Sequence, residues 1–323
     1  MKVTPLAEES YGVRSMCTFV ETPDTKILLD AGVSLAPKRM GYPPHPKEYQ
    51  ALLECRKKIM KKAEESEIIT ISHYHFDHHT PSYTDWFTNW SSAEIAKRIY
   101  NGKLVFAKSY RSMVNPSQRR RGWMFTKTGG NYAKKLETVD GRAFQFGETM
   151  LRFSEPVYHG HSNSDLGWLI MATIVVRDEK VLFTSDVQGP MWTPTLDMIL
   201  SQKPQLVIVG GPPTYLAGFR VKEENIETGM QNLKRLVENV PTTILEHHLL
   251  RDENWRNLSQ NIFDTANDLG HQVFTAAEFT GVKNNFLESH RKQLFEIEPP
   301  SSGFLKWMKQ PMQKRKMIKP PNF

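Results

Sequence analysis

The sequence predicts an α/β protein, and two patterns carry that expectation. In the second half of the chain, apolar runs at 206–209, 242–245 and 271–275 alternate with stretches of helical period at 223–239 and 254–269. Strands alternating with helices of this length build layered α/β folds. In addition, apolar runs along the whole chain end in a histidine or aspartate followed by a turn or helix signal. In α/β proteins this is where functional groups gather.

Taken in order, residues 13–21 and 26–30 read as strands, the second ending in Asp30. Residues 48–65 read as a helix, with Leu52, Cys55, Ile59 and Ala63 at helical spacing and Lys57, Lys58, Lys61 and Lys62 on a solvated face. An apolar run at 67–71 leads into Ser72-His73-Tyr74-His75-Phe76-Asp77-His78, and an alternating stretch from 144 to 157 leads to His159 and His161. Residues 181–186 end at Asp186, the run at 206–209 opens onto Gly210-Gly211-Pro212-Pro213-Thr214-Tyr215, and the run at 242–245 opens onto Glu246-His247-His248. The Gly-Pro loop is either a rigid turn or a place where substrate approaches backbone N–H groups, with Tyr215 or Thr214 free to hydrogen-bond a substrate oxyanion.

The H-x-H-x-D-H run is the most specific feature. Its three imidazoles and one carboxylate, close together on a turn, are N and O donors of the kind that Zn²⁺ and similar ions take. One loop supplies too few ligands, so the acids and histidines at the other strand ends complete the expected site. Neighbouring residues of a strand face opposite ways, so only one of His247 and His248 can point straight at a metal.

The order of these motifs resembles the metallo-β-lactamase superfamily: Asp30, the 73–78 loop, a lone histidine, Asp186 and a final histidine. The likeness covers about residues 1–285 and is similar to an uncharacterised archaeal branch. It carries a partial likeness to ribonuclease Z in His161-Ser162 with Leu166-Gly167-Trp168, and in His247 with Arg251. The resemblance implies a single four-layer αββα sandwich built from two similar halves, with 286–323 as an added C-terminal helix and basic, Pro-containing tail. It implies one metal on His73, His75 and His161, a second on Asp77, His78 and His247, and Asp186 bridging both. Asp30 would orient a ligand histidine from behind, or else serve as a cap or turn residue. His159 and His248 stay open, each an alternative ligand, a proton donor or a packed imidazole. His79 reads as a solvated neighbour.

Two divalent ions are the expected cofactors, Zn²⁺ first, with Mn²⁺ or Fe²⁺ as alternatives. The chemistry implied is hydrolysis by a metal-activated hydroxide, with Asp77, His159, His248 and Tyr215 as the groups nearest the reaction. The superfamily's di-iron branch has an acid where His75 stands and an appended flavin domain. This chain shows neither, which leaves redox chemistry a minor alternative.

Composition agrees with an enzyme core: 323 residues, 39% hydrophobic, with no Pro/Gly/Ser linker. Cys17 and Cys55 are the only cysteines and both read as small core residues. No apolar run spans a bilayer and no signal peptide is evident, so a cytoplasmic, non-membrane protein is expected, with self-association into a homo-oligomer left open. Within a basic insertion at about 80–143, residues 103–136 hold nine Lys or Arg and no acid. Arg119, Arg120, Arg121, Trp123 and Lys127, with Tyr110, Phe125 and Tyr132, form either a nucleic-acid surface or a basic loop covering the site edge. From residue 303 onward six further cations face no acid, in a tail that is either a flexible arm or a strap packed on its own domain.

The reading is therefore a metal-dependent hydrolase with phosphodiester substrates favoured. A lactone or thioester hydrolase is the first alternative, and a nucleic-acid-binding protein with a structural metal the second.

Overall fold

Alternation along the strands decides the layers. In the computed structural model, which describes residues 1–162 and 164–321, the first sheet runs in chain order. It comprises β1 (Lys2–Glu8), β2 (Met16–Glu21), β3 (Lys26–Leu29), β4 (Ile68–Ile71), β5 (Leu104–Ala107) and β6 (Lys135–Thr138). On β3, Ile27 and Leu29 enter one apolar cluster while Leu28 enters another, and on β4 Ile68 and Ile69 divide in the same way. A period of two thus sends each strand's side chains into two separate cores.

The second sheet is built from β7 (Ala143–Phe146), β8 (Thr149–Phe153), then, after the two-residue ribbon of β9 (Val157–Tyr158) and β10 (Trp168–Leu169), from β11 (Ala172–Val176), β12 (Glu179–Phe183), β13 (Leu206–Gly210), β14 (Thr242–Glu246) and β15 (Gln272–Phe274). Its strand order is β15-β14-β13-β12-β11-β8-β7. Here Ile208 and Ile244 join Ile27, Leu29 and Ile68 in the central cluster, whereas Val207, Val209 and Leu245 pack outward. The central cluster lies between the sheets and the outer two lie under helices, so the molecule is an αββα sandwich.

The halves are alike: antiparallel strands (β1 to β3; β7, β8, β11 and β12) lead into parallel ones (β3 to β6; β12 to β15). Parallel strands need crossovers, and the helices supply them. Over the first sheet lie α1 (Pro46–Glu65), α2 (Ala93–Tyr100) and α3 (Pro116–Lys127); over the second lie α4 (Thr193–Ser201), α5 (Glu223–Asn239), α6 (Trp255–Leu258) and α7 (Gln260–Leu269). Helix α1 begins two residues before the expected position because Pro46 fits its first turn and His45 with Glu48 forms a capping box. The single helix expected over 254–269 is broken at Ser259, whose hydroxyl donates to the Trp255 carbonyl at 2.7 Å.

The basic segment differs most from expectation. Asn115-Pro116 caps a 12-residue helix, α3, with Asn115 accepting from the Gln118 N–H at 2.8 Å. Of the aromatics expected to face bases, Phe125 is 3% exposed and Tyr110 and Tyr132 pack against the core, leaving Trp123 at 49%. Lys108 is buried, salt-bridged to Asp140 at 3.1 Å, and Lys103 donates to the Ser66 carbonyl at 2.6 Å. Part of that positive charge is therefore structural.

After α8 (Ala276–Phe279), the chain returns to the first half through α9 (Arg291–Ile297), α10 (Ser302–Met308) and α11 (Met312–Met317). Arg291 donates twice to the Glu48 carboxylate, each at 2.7 Å, with both side chains buried. Phe304 and Trp307 enter the cluster that holds Tyr49 and Phe87. Arg315 stacks 4.0 Å from the Phe87 ring, Lys316 pairs with Asp85 at 3.5 Å, and Lys319 lies over Trp86. The tail is a strap on its own fold; its final residues, 322 and 323, lie outside the described residues.

Candidate metal centre

Three strand ends turn through the left-handed region at non-glycine residues: Asp30 after β3 (φ 48°), Ser185 after β12 (φ 55°) and His247 after β14 (φ 66°). Such turns cost energy and persist where the surroundings over-determine them. These three reverse the chain at one edge of the sandwich, where both sheets present polar groups. Asp30, fully buried, accepts from the Ser72 N–H at 2.8 Å and the Ser72 hydroxyl, from Ser185 Oγ at 2.8 Å and from His78 Nδ1 at 2.8 Å. With Nδ1 engaged, His78 offers Nε2 to the opposite side.

The 72–79 loop sits directly on Gly32. A Cβ there would lie 2.3 Å from His79 N and 2.5 Å from His78 N, closer than a side chain permits. The loop's histidines thereby meet the ends of β12 and β14. His73, His75, His159 and Asp186 form one group of potential ligands, and Asp77, His78 and His247 a second, each with its donor atoms within 4.8 Å of one another. Asp186 stands between them, its Oδ2 at 2.8 Å from His159 Nε2, 3.3 Å from His247 Nε2 and 3.9 Å from His78 Nε2.

Donors of this kind fit divalent cations. His73 Nε2 and His75 Nδ1 are 3.1 Å apart, close to the ~3.3 Å separating two ligands of a tetrahedral Zn²⁺. His78 Nε2 and His159 Nδ1 are buried without a hydrogen-bond partner, a costly pair to bury unless an ion or the groups around it satisfy it. Burial, together with the neighbouring imidazoles, holds His73 and His75 well below the usual histidine range, leaving neutral rings with free lone pairs. Burial would raise Asp77 and Asp186, but the imidazoles around them, His78 and His247 for Asp77 and His159 for Asp186, hold both below the usual range.

The histidine between β9 and β10 corrects one expectation. His159, 1% exposed, joins the cluster, and His161 lies outside every ligand group, half-buried with Nδ1 bonded to the Ser162 carbonyl at 2.8 Å. Strand β9 ends at Tyr158 and the chain bends through 159–162, so the spacing that the resemblance implied for His161 does not carry that side chain into the cluster. His79 also differs from expectation: it is 2% exposed, with Nδ1 bonded to the His75 carbonyl at 2.9 Å.

Behind His247 lies a buried ion pair that the motifs did not reveal. Arg251 donates from Nε to Glu9 Oε1 at 2.6 Å and sets Nη2 3.1 Å from His247 Nε2. Glu9 follows β1, far away in sequence and with no motif around it. His248 is directed to the same place from the other side: Nε2 lies 3.2 Å from Asp186 Oδ1, while Nδ1 is 3.2 Å from both Tyr215 Oη and Arg251 Nη1. A cleft of about 400 Å³ opens over the cluster, lined by His75, Asp77, His159, Asp186 and His248 together with Arg14, Arg121 and Arg251.

No family model matches the chain. A UPF0282 protein of Methanopyrus kandleri is 42% identical over 294 residues, covering 91% of this chain and 99% of that protein. The chain belongs to the UPF0282 family. Its two sheets with helices on their outer faces are the αββα layering expected from the sequence. Among solved structures, this UPF0282 protein is similar to the metallo-β-lactamase fold protein YhfI from Bacillus subtilis, at 13% identity and TM-score 0.49, covering 88% of this chain and 97% of that one. It is also similar to the short form of human tRNase Z, at 10% identity and TM-score 0.42, covering 76% and 92%.

The remaining residues singled out in the sequence lie on α3. In the UPF0282 chain Arg119, Arg120 and Lys127 are exposed and make no ion pair among the described residues, with Trp123 beside them. Arg121 is half-buried, its guanidinium 4.5 Å from the Phe76 ring, and alone of the five reaches the metal cleft. No helix among the described residues is long and apolar enough to cross a membrane.

Proposed function

We propose that this protein is a dinuclear metal-dependent hydrolase of phosphodiesters. The observation that carries the reading is the convergence of buried imidazoles and carboxylates in overlapping ligand groups, two of which share Asp186, at the floor of an open cleft. A purely structural metal site is closed by protein ligands, whereas a catalytic one keeps a face open to substrate. His73, His75 and His159 would hold one ion, Asp77, His78 and His247 the other, and Asp186 would bridge them. Two divalent cations there, Zn²⁺ first, supply a hydroxide at neutral pH and polarise the substrate's phosphoryl oxygen.

The chain's own residues do the rest. Asp30 fixes the ring of His78, and the Glu9–Arg251 pair braces His247 and His248. His248, held by Tyr215, faces the cleft with Nε2 and is the group that meets the leaving oxygen. Arg14 and Arg251 are tied to Glu288 and Glu9. Arg121 makes no ion pair among the described residues and only a 3.5 Å contact with the Tyr74 carbonyl, so its guanidinium can turn to a phosphate. That free cation favours a phosphodiester over a lactone or thioester. The exposed cations of α3 extend the same preference to nucleic acid. Both cysteines are buried and unpaired, in keeping with a reducing compartment, and we assign the enzyme to the cytoplasm.

The test is metal analysis joined to hydrolysis of bis(p-nitrophenyl) phosphate, single-stranded RNA and DNA, and a lactone and thioester panel, with Asp186→Ala as control. Diester turnover that disappears in the variant supports the reading. Turnover confined to lactones or thioesters overturns it.

A further inference from the structure

A second cavity, of about 350 Å³, shares a wall with the metal cleft. Phe76 and Arg121 line both. Phe76 stands between the expected ligands His75 and Asp77, so whatever enters the second cavity lies one residue away from the metal centre. The two spaces are adjoining compartments on either side of the Phe76–Arg121 stack.

The walls of this cavity have a specific chemistry. Phe76 contacts His79 and Tyr83 with ring centroids 5.4 and 5.8 Å apart, and His79 contacts Phe125 at 5.7 Å. The first turns of α3 place Arg120 and Arg121 at the rim, and Met124, 41% exposed, at the mouth. Hydroxyls of Ser82, Ser117 and Thr128 complete the lining. Thr128 Oγ1 donates to the Met124 carbonyl at 2.8 Å and His79 Nδ1 is bonded to the His75 carbonyl at 2.9 Å, which leaves the Ser82 and Ser117 hydroxyls as the polar groups an alkyl chain would cover without satisfying. A flat heteroaromatic ring presents a π-face to the aromatic and guanidinium planes and polar edges to the hydroxyls.

We infer that this cavity receives a nucleobase of the substrate, with Arg121 placed between ring and phosphate and the phosphate lying against the metal centre. The inference rests on the phosphodiester reading and narrows it to nucleotidyl substrates. It also accounts for an exposed methionine in the pocket lining, since a flexible thioether adapts to rings of different size. Arg121 is thereby a specificity-determining residue, acting on the part of the substrate that does not react.

Binding tests this without turnover. Metal-loaded protein is titrated calorimetrically with adenosine 5′-monophosphate, with inorganic phosphate as the ring-free probe and with hexyl phosphate as the alkyl probe. The nucleotide is expected to bind roughly tenfold more tightly than either. Met124→Trp, which fills the mouth from an exposed position, and Arg121→Ala should each bring the nucleotide-to-phosphate ratio close to one, with metal content and melting temperature reporting a folded protein. Equal binding of nucleotide and phosphate by the wild type, tighter binding of hexyl phosphate, or a ratio that survives Met124→Trp would each overturn the inference. A nucleotide preference without any diester turnover would leave the pocket standing and remove the hydrolase reading instead.

Discussion

His159 and His161 are two residues apart, yet only the first is buried among the candidate ligands, with its Nδ1 unpartnered. His159→Ala should therefore lose about one metal equivalent and at least roughly a hundredfold in turnover, while His161→Ala keeps both metals; elemental analysis with a diesterase assay decides between them. Asp30 acts through His78, and Asp30→Ala is expected to weaken metal affinity about 10–100-fold, read by chelator competition. Glu288 holds Arg14, which lines the cleft. Burial alone would raise its carboxyl, but Arg14, with Nε 2.6 Å away, holds it well below the usual range. A carboxylate depressed in the folded state contributes stability that is complete above its unfolded pKa of about 4.3 and is lost as the pH falls toward the folded value. Glu288→Gln should cost roughly 3 kcal/mol at pH 7, and its melting gap to wild type should narrow below about pH 4. A gap that stayed constant from pH 7 to pH 3 would count against the pair.

At the scale of elements, α3 and the C-terminal strap are the two pieces that sequence periodicity left undecided, and they resolve in opposite ways. The strap is structural. Trp307, 3% exposed, packs on Tyr49, Phe87 and Phe304 and donates from its indole to the Ile318 carbonyl at 2.9 Å. Trp307→Ala should lower stability by about 3–5 kcal/mol, visible in thermal melts whether or not metal is present. Helix α3 keeps its outer cations free, because Gly122 packs so near Tyr74 and Tyr110 (2.4 Å from a Cβ to Tyr110 Cβ) that the helix can only present Arg119, Arg120 and Lys127 outward. Replacing these three with alanine should weaken single-stranded RNA binding and flatten its dependence on salt. An unchanged salt slope would make α3 a cover for the site and nothing more.

Over the whole molecule, the proposed metal centre lies where the strand ends of both sheets converge: His73 to His78 follow β4, and Asp186 and His247 follow β12 and β14. Metal bound there ties the two halves, so chelation should lower the melting temperature along with abolishing turnover. With free metal at about a thousand times its dissociation constant the stabilisation is roughly 4 kcal/mol, and equal melting temperatures with and without chelator would argue against a shared site. The sequence alone determined the α/β class and the helix Glu223–Asn239 at its observed bounds, and it marked the 73–78 loop as the densest set of donors, because alternation, helical period and a dense His/Asp turn are local patterns. Only the tertiary structure decided which of His159 and His161 turns inward, that Glu9 from the start of the chain braces Arg251, and that the tail's cations stack on Phe87 and Trp86. Those outcomes depend on where distant segments meet and where a strand stops, and both are fixed by packing across the sandwich rather than by neighbours along the chain.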